Sequence, residues 1–595
     1  MAEVIDPLVL IILGVIVITT ATAISPKLKV AGPLLLVLFG IGVSFLPFVD
    51  VPEIDPEIIL VGVLPPLLYS AAVSLPAIEF RRDFGPIAGL SVLLVVVSSV
   101  ALALLFVAVI PGLPFLLALA LGAILSPTDA VATGIAKRLG ISRRVVTLLE
   151  GESLLNDATS LVILRTAVAG VAVGTVQAGD FIGAFAWGVF IAVIVGAVIG
   201  YLNLRLRALV RHSAANTAVG FIVPFAAYLP TEHLGGSGLV AAVVAGIVTG
   251  QGSVRWFTPE QRVSDELNWR TVELVLEGAV FLVMGLELKE ILDDNLNSDH
   301  GIWQGLSLAF IALGIILGVR AVYVTILVWV QSRRARHAST DRLERISERL
   351  DDLEARGAPE GRLLAAGGRR AGRRGRQRGD RTDEQAFAGR MSSMRRRVDS
   401  AFADFAYYQA SPLGWKHGTV IVWAGMRGVV TLAAAQTLPR DTPERPLLIF
   451  VAFLVAVISL MLQGFTLPWL VRALKIDDEP GDRVDPADQR RLAAEMQDAA
   501  ASALANPSLT RSDGTAFAPE LLGRINARLT TPPDDETTAA ARDMLELRLA
   551  MVIAMRRRLG ALSSGGTFST AALRHALAEL DADELSLRLR LDDDG

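Results

Sequence analysis

Thirteen windows of predominantly apolar residues recur along the chain, centred near residues 15, 40, 67, 97, 125, 162, 193, 222, 243, 281, 317, 427 and 460. About 20 such residues wound as a helix cross the roughly 30 Å hydrocarbon layer of a bilayer. Within that layer no water satisfies backbone N–H and C=O groups, so runs of this length are confined to helices. The 595 residues are 52% hydrophobic and 19% charged, with a mean hydropathy of +0.50, the composition such a fold needs. An all-α polytopic membrane protein is expected. The formal net charge of -4 carries little information, because acids and bases are segregated along the chain. Cysteine is absent, which excludes disulfides and thiolate metal sites.

The loops test the count of spans, since connections bearing Lys and Arg stay on the cytoplasmic side. "SPKLK", "EFRRD", "AKRLGISRR", "RLRALVRH", "VRWFTPEQRVSDELNWR" and the long Arg-rich loop after residue 331 read as inside. "DVPEIDPE", "PGLP", "VQAGD", "PTEHLGG" and "ELKEILDDNLNSD" read as outside, together with "PRDTPERP", the one outside loop with basic residues. A miscounted span would break this alternation from that point onward. Thirteen spans therefore put the N-terminus outside and the C-terminus in the cytoplasm of a cell-membrane protein. The start, "MAEVIDPLVLIILGVIVITTATAI", has no basic n-region and reads as a first span.

Two segments of different composition divide the chain. Spans 1–11 occupy residues 1–332, an Arg-rich cytoplasmic insert 333–410, the last two spans 411–475, and a cytoplasmic helical tail 476–595. Residues 333–398 hold 19 Arg against 10 acids, a net of 19 − 10 = +9. They read as a solvated insert, partly helical at "TDRLERISERLDDLEARG", with contact to anionic lipid headgroups as the sharper alternative. The tail reads as amphipathic helices such as "ARDMLELRLAMVIAMRRRLGAL", a dimerisation or regulatory module without a catalytic signature.

Ionisable residues inside a span are costly and point to function. The fifth window, "PFLLALALGAILSPTDAVATGIAKR", has Ser126, Pro127, Thr128 and Asp129 at its middle. Proline lacks an N–H and clashes with the preceding turn, so the helix is expected to break there, leaving free backbone groups at membrane depth. The twelfth window, "GTVIVWAGMRGVVTLAAAQ", places Gly425, Arg427 and Gly428 at the equivalent depth. Paired interruptions in two halves are the sequence mark of an inverted-repeat transporter. In that arrangement Asp129 answers positive half-helix ends and Arg427 negative ones. The bland alternative, surface turns between short helices, needs extra loops and spoils the charge alternation.

"LEGESLLNDATSLVILRTAVAGVAV", residues 149–173, carries Glu150, Glu152, Asn156 and Asp157 into the sixth window. At 100° per residue Ser153 and Asp157 share one helix face, and Glu152 and Asn156 an adjacent one. A hydroxyl and a carboxylate stacked beside free carbonyls make an all-oxygen site for a hard monovalent cation, with no His or Cys nearby. Glu152 needs a partner, and Arg320, the lone charge of "ALGIILGVRAVYVTIL", is the best placed. A competing reading makes these acids an interfacial helix cap. It accounts for Glu150 but not for Arg320, Arg427 and Asp129 in three other spans. Arg165 reads as a snorkelling or inter-helix contact. Tyr69 and Ser70 follow a double proline in "LPPLLYSAAVSL", where a kinked third helix either turns them to the site or packs them. Gly246 and Gly250 permit close helix approach.

"LSPTDAVATG" followed by "LLEGESLLNDATSLV", with "LPPLLYSAAVSL" before and "VWAGMRGVVTLAAA" after, resembles the sodium/proton exchanger, NhaP-type branch of the monovalent cation:proton antiporters over roughly residues 6–475. The resemblance implies two inverted six-helix repeats in a thirteen-helix fold, with a dimerisation domain and a moving core domain, in a homodimer. It implies Asp157 as the ion- and proton-binding carboxylate, Asn156 as its neutral neighbour, and Ser153 and the carbonyl of Thr128 as auxiliary cation ligands. Glu152 with Arg320 is then the core ion pair, while Asp129 and Arg427 compensate the crossed helix ends. Two positions depart from the family pattern. Its third span often carries an acid where this chain has Ser70, and its "TD" break is usually followed by proline where this chain has Ala130.

A desolvated carboxylate cannot stay a bare anion, so Asp157 is expected to hold either a proton or a cation, and the competition couples them. With Asn156 neutral and Glu152 paired, one charge is exchanged per cycle. Electroneutral exchange of one sodium, potassium or lithium ion for one proton follows, without cofactor, enzyme chemistry or nucleic-acid partner. A cation channel with a regulatory tail would share the acidic site but would not couple flux to an opposing proton gradient. An intramembrane serine protease, hinted at by "GGSG" (235–238) near His233, needs a His at mid-span, and none of His212, His233, His300, His337, His417 and His575 lies there.

Overall fold

The computed structural model describes residues 7–28, 30–46, 55–129, 131–173, 178–210, 212–297, 301–337, 394, 398, 407–408 and 412–476, and in the tail 545–546, 548–555, 579–580, 582–588 and 590–591. The expected insert helix, the run "GGRRAGRRGRQRGDR" and most of the tail lie outside these residues. The chain divides into two units, Met1–Asp482 and Arg483–Gly595.

In the first unit the helices are α1 (Pro7–Leu28), α2 (Gly32–Ser44), α3 (Ile58–Ser74), α4 (Ala77–Arg82), α5 (Phe84–Val109), α6 (Phe115–Ile124), α7 (Val131–Arg138), α8 (Arg143–Val173), α9 (Ala178–Leu209) and α10 (Ser213–His233). They continue as α11 (Gly238–Trp256), α12 (Pro259–Leu286), α13 (Leu288–Asn297), α14 (Ile302–His337), α15 (Trp415–Trp423), α16 (Val429–Gln436) and α17 (Arg445–Leu474). There is no strand among the described residues. Eleven of the thirteen window centres fall inside helices, and the other two, at 125 and 427, fall in the gaps α6–α7 and α15–α16.

By length and composition α1, α5, α8, α9, α14 and α17 are apolar enough to cross a membrane, and Gly32–Ser44, Ile58–Ser74, Phe115–Ile124 and Gly238–Ser253 are shorter apolar helices. Burial separates them. In α8, 67% of the apolar window is buried, against 17% in α9, so α8 threads the middle of the bundle where its carboxylates are kept from lipid.

Local chemistry sets several helix ends and contacts. α12 starts at a capping box, in which the Thr258 hydroxyl accepts from Gln261 N–H and the Gln261 side chain accepts from Thr258 N–H, with Pro259 in the first turn. α3 opens with a widened π turn at Ile58–Val63, just before Pro65 and Pro66, whose missing N–H groups leave the preceding turn without its regular bonds. α11 then packs tightly on α3. A Cβ on Gly246 would come within 2.6 Å of the Tyr69 carbonyl, and Gly250 meets the Val73 carbonyl in the same way. In the second unit, helical stretches are described at 548–555 and 582–588, where Arg588 Nε donates to Glu584 at 2.9 Å.

Candidate functional site

Two interrupted helices build the site. α6 stops at Ile124 and α7 resumes at Val131, the gap holding Pro127; α15 stops at Trp423 and α16 resumes at Val429, the gap holding Gly425 and Gly428. The gaps touch, with Asp129 N–H donating to the Met426 carbonyl at 2.8 Å. Glycine is needed for this approach. A Cβ on Gly428 would collide with the Asp129 carboxylate, and one on Gly425 would lie 2.6 Å from Arg320 Nε.

Each interruption exposes helix-end backbone groups that need partners. Arg427, 2% exposed, supplies them at the carbonyl end of α6: its Nε donates to Leu125 O at 3.0 Å and its Nη2 to Ser126 O at 3.3 Å. Its Nη1 donates to Gly425 O, and its own N–H to Ser459 Oγ of α17 at 3.0 Å. Asp129 Oδ1 accepts from Val131 N–H at 3.2 Å, at the amino end of α7. Arg320 of α14 donates from Nε and Nη2 to Ile421 O, at 3.0 and 2.8 Å, in the last turn of α15. Cations thus face carbonyl ends and an anion faces an amino end, the sense the helix dipole favours.

α8 runs beside this crossing. Glu152, 1% exposed, accepts from Arg320 Nη2 at 2.9 Å and also from Nη1. Thr128 Oγ1 lies 3.4 Å from Glu152 Oε1 and accepts from Asn156 Nδ2 at 2.7 Å. Arg320, Glu152, Thr128 and Asn156 therefore form one buried chain of polar contacts. Asn156 Oδ1 is buried without a hydrogen-bond partner among the described residues. Asp157 and Ser153, one turn apart and each 8% exposed, lie on the adjoining face. The Asp157 carboxylate has no hydrogen bond or ion pair among the described residues, and the charge of Asp129 acts on it. Beside these answered charges lies an oxygen-rich patch of one carboxylate, one amide oxygen and one hydroxyl, chemistry suited to a proton or a hard monovalent cation.

Other singled-out residues take different places. The acids of α8 are not a helix cap: the helix starts at Arg143, two turns before Glu150, whose carboxylate pairs with Lys137. Arg165 pairs with Glu232 and donates to the Tyr228 hydroxyl at 3.2 Å, an inter-helix contact. Ser70 is buried and donates to Glu273 Oε1 of α12 at 2.6 Å. An acid thus reaches the third helix from a different element. Sequence reasoning passed over Glu273 and Glu277, although their i, i+4 spacing in "TVELVLEGAVFLVMGL" was a readable signal. It also missed Ser459, a neutral residue that no intramembrane-charge criterion flags.

A chain whose described residues are helical, with several apolar helices long enough to cross a bilayer, is a multi-pass membrane protein. The family model described as sodium/hydrogen exchanger, transmembrane, matches residues 13–345 and 399–473, and the chain belongs to that family. A Mycobacterium tuberculosis protein described as an uncharacterized Na(+)/H(+) exchanger is 26% identical over 600 residues, 98% of this chain and 96% of that one. The low-affinity Na(+)/H(+) antiporter NhaS1 of Synechocystis is 26% identical over 506 residues, covering 82% of this chain and 80% of that one. The structure of the sodium proton antiporter MjNhaP1 from Methanocaldococcus jannaschii superposes with a TM-score of 0.54 at 17% identity, covering 79% of this chain and 99% of that one, a likeness of fold.

Proposed function

We propose that this chain is a secondary active antiporter that exchanges a monovalent cation, sodium first among potassium and lithium, for protons at Asp157. Membership of the exchanger family supports the activity. The observation that carries the site is the contrast at the crossing of the two gaps: Glu152 is paired with Arg320, Arg427 and Asp129 answer helix ends, and Asp157, on the same helix as Glu152, has neither hydrogen bond nor ion pair among the described residues. A proton or a cation neutralises that carboxylate, never both, and this competition couples the two fluxes. Ser153, Thr128 and Asn156 supply the neutral oxygens around the ion. No cofactor enters the cycle.

Thirteen spans in two inverted repeats, N-terminus outside and C-terminus cytoplasmic, in a homodimer of the cell membrane working by alternating access, complete the proposal. Residues 1–332 and 411–475 are its membrane part, 333–410 the insert and 476–595 the tail. Anionic lipid is the partner proposed for the +9 charge of 333–398.

The test is transport in proteoliposomes with defined sodium, potassium and proton gradients. Wild type should release protons in response to sodium, and Asp157→Asn should abolish this at unchanged folding. Exchange at a near wild-type rate in that variant removes Asp157 from the site. Once potassium transport has been excluded, a membrane potential clamped with a potassium ionophore should leave the wild-type flux unchanged. A current reversing with the combined gradients overturns one-for-one exchange, and cation current without proton coupling favours the channel.

A further inference from the structure

A second buried charge pair lies apart from the cluster around Asp157. Asp83, between α4 and α5, is 0% exposed, and Arg144, in the first turn of α8, is 3% exposed. Arg144 Nη2 lies 3.0 Å from Asp83 Oδ1 and its Nε 3.2 Å from Oδ2. A buried pair is tolerated when its remaining donors and acceptors are used, and here separate elements use them. Arg144 Nη2 also donates to Gln331 Oε1 of α14 at 2.6 Å, and the Tyr407 hydroxyl donates to Asp83 Oδ2 at 3.0 Å. The Tyr408 hydroxyl donates to Arg82 O at 2.7 Å, while the Arg144 guanidinium lies 4.8 Å from the centre of the Tyr408 ring. Burial, and after it Asp83, hold the Tyr407 phenol above its ordinary range, so it stays a donor.

The elements that meet at this pair are those that carry the transport cluster. α8 bears Asp157 (157 − 144 = 13 residues beyond Arg144), and α14 bears Arg320 (331 − 320 = 11 residues before Gln331). Tyr407 and Tyr408 lie shortly before Gly414, the N-cap of α15, which leads to Arg427. Thirteen helical residues span roughly 20 Å, too far for contact, so any influence runs through the rigid helices. Apolar packing would hold helix ends together as well; hydrogen bonds converging on one ion pair also fix their orientation.

We propose that Asp83, Arg144, Gln331, Tyr407 and Tyr408 form a positioning clamp that locks the near ends of α5, α8, α14 and the approach to α15 into one body, so that Asp157, Arg320 and Arg427 keep register through the transport cycle. The inference rests on the antiporter reading.

Full-length Tyr407→Phe, which deletes one hydroxyl and keeps the ring, and Gln331→Leu are compared with wild type in the same proteoliposomes, and hydrogen exchange is followed along Arg143–Asp157. The apparent KM for sodium should rise about three- to ten-fold, the equivalent of one hydrogen bond, with a displaced pH profile and faster exchange in α8. A lower maximal rate with unchanged KM, pH profile and exchange would mean that these residues only hold the fold, and would overturn the clamp. If Tyr407→Phe does not fold, Gln331→Leu decides by the same readouts. If wild type moves no protons against sodium, the antiporter reading falls, and unchanged exchange in α8 would separately overturn the clamp.

Discussion

Asn156 donates to Thr128 at 2.7 Å, and the same threonine oxygen lies 3.4 Å from Glu152. Thr128 therefore joins the neutral neighbour of Asp157 to the Glu152–Arg320 pair, and it does so from the gap between two half-helices. Thr128→Val keeps the shape but removes the acceptor for Asn156. A buried amide left without its partner costs about 1 to 3 kcal/mol. Sodium-driven proton flux should show a weakened apparent sodium affinity in Thr128→Val and near wild-type behaviour in Thr128→Ser. Equal behaviour of the two variants would remove the hydroxyl from the site.

The Glu152–Arg320 pair is almost wholly buried. Removing one partner strands the other charge, at a cost of about 3 to 5 kcal/mol. Either single alanine variant should melt earlier in detergent, and the double variant should recover part of the loss. Strictly additive losses would show that the two side chains are not coupled.

Gly428 leaves no room for a Cβ beside the Asp129 carboxylate. Gly428→Ala must push apart the two crossing gaps, at a cost of about 1 to 3 kcal/mol for overpacking. A lower melting temperature and reduced transport should appear together, while Gly314→Ala, where nothing lies within 4 Å of the added carbon, should change neither. Tolerance of Ala at 428 would mean that the two gaps do not press on each other there.

Glu287, just beyond α12, is buried and accepts from Gln436 Nε2 of α16 at 3.0 Å. Burial pushes its carboxyl up to about 7 from 4.5, with Gln436 opposing and Glu290 adding to the rise. The folded protein thus holds this proton where the unfolded chain has lost it. The stability that Glu287 contributes is full below the unfolded value of 4.5 and is lost as pH rises through about 7. Glu287→Gln stays neutral, so above pH 7 it should melt higher than wild type, by an amount on the order of 3 kcal/mol. The two proteins should converge toward pH 4.5. Parallel melting curves across this range would contradict the assignment.

Hydropathy made the helical windows readable from sequence, because a helix must satisfy its own backbone in lipid and needs a run of apolar residues to do so. The interruptions were readable too, since the missing N–H of Pro127 and the missing Cβ of Gly425 and Gly428 are local chemistry. The exposed helix ends and the rarity of charges in apolar windows singled out Glu152, Asp157, Arg320 and Arg427. Which groups meet was decided only by tertiary packing. Arg320 closes on Glu152 across 168 positions, Arg427 reaches Leu125 across 302, and Tyr407 reaches Asp83 across 324. No periodicity spans such separations, so partners such as Glu273 for Ser70, or Ser459 for the Arg427 N–H, emerge only when helices distant in sequence pack side by side.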